Sequence, residues 1–222
     1  MASTSSETPS SSLSSSSSSI PGSDYDVFLS FRGEDTRHAF TDHLYEVLRL
    51  KGIDVFRDNE KLQLGQVIAS ELTQAIEKSQ YAIVVFSEKY ADSRWCLDEL
   101  AKIVECRKNK GLKVVPVFYH VDPTDVRNQT GPFGKAFDEH NKDDRMNGEK
   151  IQKWKDALRE VGNLSGKHLI LHQRYTYWFF FSSVYYTVTV THRLKHLHLA
   201  SVKSYIYFRI RSLLTQFSKH LI

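Results

Sequence analysis

The sequence predicts an α/β protein: a flavodoxin-like three-layer sandwich, with a parallel sheet of four to five strands in the order 2-1-3-4-5 and helices on both faces. Three observations predict it. The runs "YDVFLSF", "YAIVVFS" and "LKVVPVFYHV" are apolar without alternation, as strands covered on both faces are. The stretches between them repeat apolar residues at helical spacing. Strand and helix patterns alternate along residues 24–166, and such alternation builds a parallel sheet through helical crossovers.

The elements follow in order. Residues 1–23 hold 13 serines with Pro9, Pro21 and Gly22. So little apolar surface cannot offset the entropy of ordering, and a disordered leader is expected. Plastid transit peptides are also Ser-rich, but this stretch lacks Arg and contains Glu7. Tyr25–Phe31 is the first strand, ended by Arg32-Gly33. Residues 36–50 put Phe40, Leu44, Val47 and Leu48 on one helical face, with Asp35 or Thr36 to cap the start and Gly52 the end. Ile53–Phe56 is the second strand. A loop containing Gly65 leads to a second helix striped by Ile68, Leu72, Ala75 and Ile76. Residues 81–87 form the third strand. "SRWCLDELAKI", 93–103, opens a third helix striped by Leu97, Leu100, Ala101 and Val104. Residues 112–121 form the fourth strand, in which Pro116 implies a sheet edge or a bulge. "DPTDVRNQTGPFG" reads as an irregular loop, a short fifth strand is expected near 130–148, and Ile151, Trp154, Leu158 and Val161 mark a final helix.

In this strand order, ligands bind beyond the strand C-termini at the switch between strands one and three. "FRGED" follows the first strand there and "SEKYADSRW" the third. The candidate pocket is therefore lined by Phe31, Arg32, Gly33, Trp95 and the first turn of the third helix. Gly33 allows close backbone approach to a ligand. Arg32 suits a phosphate, although neither GxGxxG nor P-loop spacing is present. Asp98 and Glu99 stand side by side at the start of that helix. Spacing leaves open whether they are solvated charges or working groups, since Glu99 lies about 150° from the apolar stripe at ~100° per residue.

Five segments in register carry a resemblance: "YDVFLSFRGEDTRHAFTDHLYEVL", "IDVFRDNEKLQLG", "SRWCLDELAKI", "VVPVFYHVDPTDVRNQTGPFGKAF" and "WKDALREVGNLSG". Together they resemble a plant TIR domain, the kind found at the N-terminus of nucleotide-binding leucine-rich-repeat immune receptors. The resemblance implies cleavage of NAD+ at the nicotinamide–ribose bond, with NAD+ as substrate and no further cofactor. It makes Glu99, four residues after Trp95, the catalytic carboxylate and leaves Asp98 a spectator. A helix macrodipole would help keep an exposed Glu99 ionised by ~0.3–1 kcal/mol. The resemblance adds Glu60 to the substrate contacts and places Asp42 and His43 on a self-association surface. Two positions depart from the family pattern: Asp42 where a Ser precedes the His, and Leu64 where Arg or Lys often precedes the Gly.

Apolar content of 41% and charged content of 25% suit a soluble globular protein. All 26 acidic residues fall in residues 1–160, whereas 161–222 holds eight Lys and Arg and no acid. The net charge of +4 thus reflects the tail, and no specific nucleic-acid partner is expected. Cys96 and Cys106 on one helix would stand ~15 Å apart, too far for a disulfide, which fits reduced thiols in a cytoplasmic or nuclear protein. The pair His192 and His196 has no acidic or Cys companion, so no metal site is expected. The tail, 167–222, includes an uncharged aromatic run at 175–191, at the short limit for a membrane span. Unselected sequence without a specified fold accounts for it better than membrane contact does. Two functions fit the chain: a TIR NAD+ hydrolase or cyclase in plant immune signalling, active on self-association, or a non-catalytic adaptor or decoy acting on a full-length receptor through TIR–TIR contacts.

Overall fold

The computed structural model describes residues 24–57, 67–144 and 147–169. Five parallel strands form one sheet in the order β2-β1-β3-β4-β5. They are β1 (Tyr25–Phe31), β2 (Val55–Arg57), β3 (Ser79–Phe86), β4 (Lys113–Tyr119) and β5 (Lys167–Leu169). The helices are α1 (Gly33–Thr36), α2 (Asp42–Leu50), α3 (Val67–Glu77), α4 (Arg94–Lys110), α5 (Pro123–Asn128), α6 (Gly131–Lys142) and α7 (Gly148–Gly162).

Strand alternation divides the core into two layers. Val27, Leu29 and Phe31 of β1 face one side and pack with Phe40, Leu44 and Leu48. Phe28, with Ala82, Val84 and Phe86 of β3, faces the other side and packs with residues of α3, α4, α6 and α7. Leu97, Leu100, Ala101 and Val104 are buried as their spacing predicts, and Ile103 and Cys106 widen the stripe. A fully buried Leu97 of this kind costs ~2–5 kcal/mol when cut to Ala. Both cysteines are free and buried.

Three sequence expectations are corrected and a fourth is narrowed. The fifth strand is Lys167–Leu169, not a segment of 130–148, where α6 lies instead. The sheet thereby takes in three residues that the sequence reading assigned to the tail. The supposed irregular loop is α5 and the start of α6. Asp122 caps α5 by accepting from Thr124 N at 2.7 Å, Pro123 opens it, and Gln129 closes it in a left-handed conformation. Pro116 marks no bulge, and it stands on a stretch of β4 that is still a local sheet edge on its β5 side. Its register with β3 is unbroken from Tyr81↔Lys113 to Phe86↔Phe118, and β5 pairing starts one residue later, at Val117. Finally, Asp35 and Thr36 do not cap the first helical stretch. It begins at Gly33 and passes through a π-helical turn, Arg37–Thr41, where Thr36 donates to Arg32 O at 3.1 Å and accepts from Thr41 at 2.7 Å. Gly52 does end α2, with φ of 75°.

Some expectations lie outside the described residues: the leader 1–23, Ile68's side chain, Glu60, Leu64, Gly65, and the tail from 170 with His192 and His196. Among the described residues no helix is long and apolar enough to cross a membrane, and no cluster of three or more His, Cys, Asp or Glu could hold a metal.

Candidate functional site

The site stands at the C-terminal ends of β1 and β3, against the first turns of α4. The helix starts there for a local reason: Ser93 is extended and its side chain accepts from Cys96 N at 3.2 Å. At the far end Gly111, with φ of 72°, closes the helix. Two contacts bind the first turns of α4 to the end of β1. Cys96 Sγ reaches Phe31 O at 3.5 Å, and Ser30 Oγ donates to Glu99 Oε2 at 2.8 Å.

Glu99 is 7% exposed and Ser30 is fully buried. Ser30 shares the Phe28 face of β1, the face that α4 covers. A charged group sheltered this far from water requires hydrogen-bond donors, and the Ser30 hydroxyl is one. This stabilisation replaces the one expected from an exposed position at the helix end, because Glu99 lies in the second turn and the dipole effect fades beyond the first. Tyr90 comes from the 3-10 turn Tyr90–Asp92 that links β3 to α4. It is fully buried, 3.0 Å from Ser30 Oγ and 3.2 Å from Cys96 O. Burial chiefly, then the nearby Cys96 and Glu99, push its phenol well above the usual range, opposed by the Ser30 bond. His140 Nε2 lies 2.8 Å from Ala91 O and so pins this turn to α6.

Asp98 has a different environment. It accepts from Trp154 Nε1 at 2.9 Å and from Lys150 Nζ at 2.9 Å, bracing α4 against α7. A groove between α4 and α7, lined by Glu105, Lys108, Lys153 and Glu160 among others, lies on that side. Within it Lys108 pairs with Glu160 at 2.7 Å and Lys153 with Glu105 at 4.0 Å.

The other expected site residues divide. Trp95, 41% exposed, stands in the first turn of α4 beside Cys96. Arg32 follows β1 directly; one terminal nitrogen pairs with Glu34 at 2.9 Å, while its Nε is buried without a hydrogen-bond partner. Gly33 opens α1. The ring of Phe31 points to the opposite face from Ser30, into the α2-side layer, with the Arg37 guanidinium 5.1 Å from its centre. The structure therefore brings the Phe31 backbone, not its ring, to the Glu99 side. Asp42 opens α2 and is paired with Arg57 of β2, whose guanidinium also covers Tyr45 at 4.3 Å. His43 beside it is exposed.

Sequence reasoning missed Ser30 and Tyr90. The signal was present at Ser30, a polar residue near the end of a strand buried on both faces, where an unpartnered hydroxyl is costly. Tyr90 carried no such signal, because a Tyr in a polar loop is ordinary.

Residues 24–195 match the TIR domain family. Over 174 residues the chain is 58% identical to the disease resistance protein RPV1 of Vitis rotundifolia, covering 77% of this chain and 12% of that protein. It is 58% identical over 151 residues to the TMV resistance protein N of Nicotiana glutinosa, covering 68% of this chain and 13% of that protein. The chain thus spans about an eighth of the length of these relatives. In structure it is similar to the TIR domains of the activated Roq1 resistosome that directly recognizes the effector XopQ, with a TM-score of 0.67 and 43% identity over 74% of this chain and 99% of that one. A parallel sheet in the order 2-1-3-4-5, a match across residues 24–195 and these relatives lead to one conclusion: the chain belongs to the TIR-domain family of plant disease-resistance proteins.

Proposed function

We propose that this TIR domain is an NAD+ hydrolase or cyclase in plant immune signalling, with Glu99 as its catalytic carboxylate. One observation carries the reading. Glu99 is a buried carboxylate at the topological switch point, and the buried Ser30 hydroxyl donates to it. A charge kept in a sheltered site can act on charge that develops in a transition state.

The chemistry needs little else. The bond between ribose C1′ and the nicotinamide nitrogen breaks, and its electron pair leaves with nicotinamide, which becomes neutral. No general acid is required. Positive charge builds on the ribose as an oxocarbenium-like centre, as in glycoside hydrolysis. Glu99 stabilises that charge and accepts from ribose hydroxyls. Water then captures C1′ and releases a proton, giving ADP-ribose, or a nucleophile of the same nucleotide closes a ring. The partly exposed Arg32 guanidinium is a donor group suited to a phosphate, and Trp95 offers an exposed ring at the rim. Assembly belongs to the same reading. A relative 43% identical is part of an activated resistosome, which supports activity on self-association, and the exposed His43 is a candidate contact.

The test is nicotinamide release from NAD+ by the purified chain, free and displayed on an oligomerising scaffold. Release that falls ~100-fold or more in Glu99→Ala, with the fold retained, is the expected result. No release in either format would overturn the enzyme reading and leave a non-catalytic adaptor.

A further inference from the structure

We propose that Ser30 and Tyr90 are positioning residues for Glu99, with Tyr90 acting through Ser30. The proposal rests on the reading of Glu99 as the catalytic carboxylate. The three side chains come from three separate elements: β1, the turn after β3, and α4. They meet where water does not reach, since Ser30 and Tyr90 are fully buried.

Proton counting sets the direction of the chain. An ionised carboxylate only accepts, so the single Ser30 hydroxyl proton goes to Glu99 Oε2 at 2.8 Å. Ser30 Oγ can then only accept from Tyr90, and in their 3.0 Å contact the phenol is the donor. Tyr90 remains protonated and is a permanent donor for the same reason that its acidity is suppressed: it is buried next to a carboxylate. Accepting from Tyr90 polarises the Ser30 hydroxyl and makes it a stronger donor to Glu99. The Cys96 carbonyl, 3.2 Å from the same phenol, competes for the same proton. Cys96 sits in the first turn of α4, so this competition ties the carboxylate's support to the seating of its own helix. Neither Ser30 nor Tyr90 needs to touch the nucleotide. Their effect reaches the reaction only through where Glu99 stands and how its charge is held.

This serial arrangement predicts non-additivity. Ser30→Ala should lower kcat for nicotinamide release ~10-fold and Tyr90→Phe ~3-fold, with KM unchanged in both, because the lost bonds are to the carboxylate's support and not to substrate. The double variant should be no slower than Ser30→Ala alone, since Tyr90 has no route to Glu99 once Ser30 is gone. Multiplying effects, or a rise in KM at constant kcat, would overturn the proposal. A second measurement is independent of activity. In the proton NMR spectrum the Tyr90 hydroxyl, identified by its loss in Tyr90→Phe, should exchange slowly and should shift in Glu99→Gln, whose amide can donate back to Ser30. A Tyr90 resonance that ignores Glu99→Gln would overturn the connection. If the wild type releases no nicotinamide, the functional reading fails by itself, and the NMR shift alone decides whether the three groups are coupled.

Discussion

Helix α4 carries two neighbouring carboxylates, and its two sides use them differently. On the sheet side Glu99 is buried and receives a serine hydroxyl from β1. On the α7 side Asp98 is half exposed and holds the Trp154 indole and Lys150. One residue turns a helix by about 100°, enough to pass from the C-terminal end of the sheet to a helix–helix seam. The difference teaches that the role of a charged residue in such a helix is set by what packs opposite it, not by its residue type.

The sharpest way to break this contrast is to exchange the losses. Glu99→Ala should reduce nicotinamide release ~100-fold or more, whereas Asp98→Ala should keep it within about threefold; equal losses would erase the distinction. A structural change away from α4 provides the control. A Cβ on Gly166 would stand 2.6 Å from Phe118 Cε2 and 2.7 Å from Pro116 O, where backbone cannot yield cheaply. Gly166→Ala should therefore cost ~1–3 kcal/mol of stability in urea unfolding and leave the rate per folded molecule unchanged.

Next in size is the brace itself. Asp98→Ala leaves the indole N–H of the buried Trp154 without its partner, at ~1–2 kcal/mol. Lys150 adds little, because its pairing with Asp98 is at the surface. In a double-mutant cycle with Trp154→Phe the coupling should be about 1 kcal/mol; a coupling of zero would show that Asp98 braces nothing.

The smallest effect lies further along α4, where Lys102 pairs with Glu77 of α3 at 2.7 Å and with Glu105 at 2.7 Å. The hydrogen bond from Lys102 is the main cause that holds both carboxyls below their usual range, and the same two bonds raise the Lys102 ammonium. For the depressed carboxyls, the stabilising contribution is present above the unfolded Glu value of about 4.3 and disappears as pH falls through the lower folded value. For the raised lysine it is present at neutral pH and is lost only as pH climbs past about 10.4. Glu77→Gln should flatten the acid-side fall of Tm by a degree or two, and added salt should do the same; an unchanged acid limb would remove these pairs from the account.

Much of the scaffold was legible. β1, β3 and β4 announce themselves as apolar runs because strands covered by helices on both faces need no polar alternation. β5 did not, because three residues containing a Lys and a His make no such run. The segment after β4 was read as a loop although Asp122-Pro123 is a helix start, since the turn residues around it outweighed a single cap. At the site, spacing left Asp98 and Glu99 open, and the family resemblance made Glu99 the candidate. Phe31 was placed correctly along the chain, but its ring faces the other core layer, because adjacent strand residues point to opposite sides.

Residue order was sufficient for the alternation of strands and helices, for the sheet order and for the family. These depend on local periodicity and on spacing within one segment. The different surroundings of Asp98 and Glu99, and the contacts of Ser30 and Tyr90, came only with the folded chain. Ser30 and Glu99 are 69 positions apart in sequence and 2.8 Å apart in space. Periodicity states the direction in which a side chain points from its own helix or strand. Which group is there to receive it, and whether water is excluded, depends on how distant segments pack.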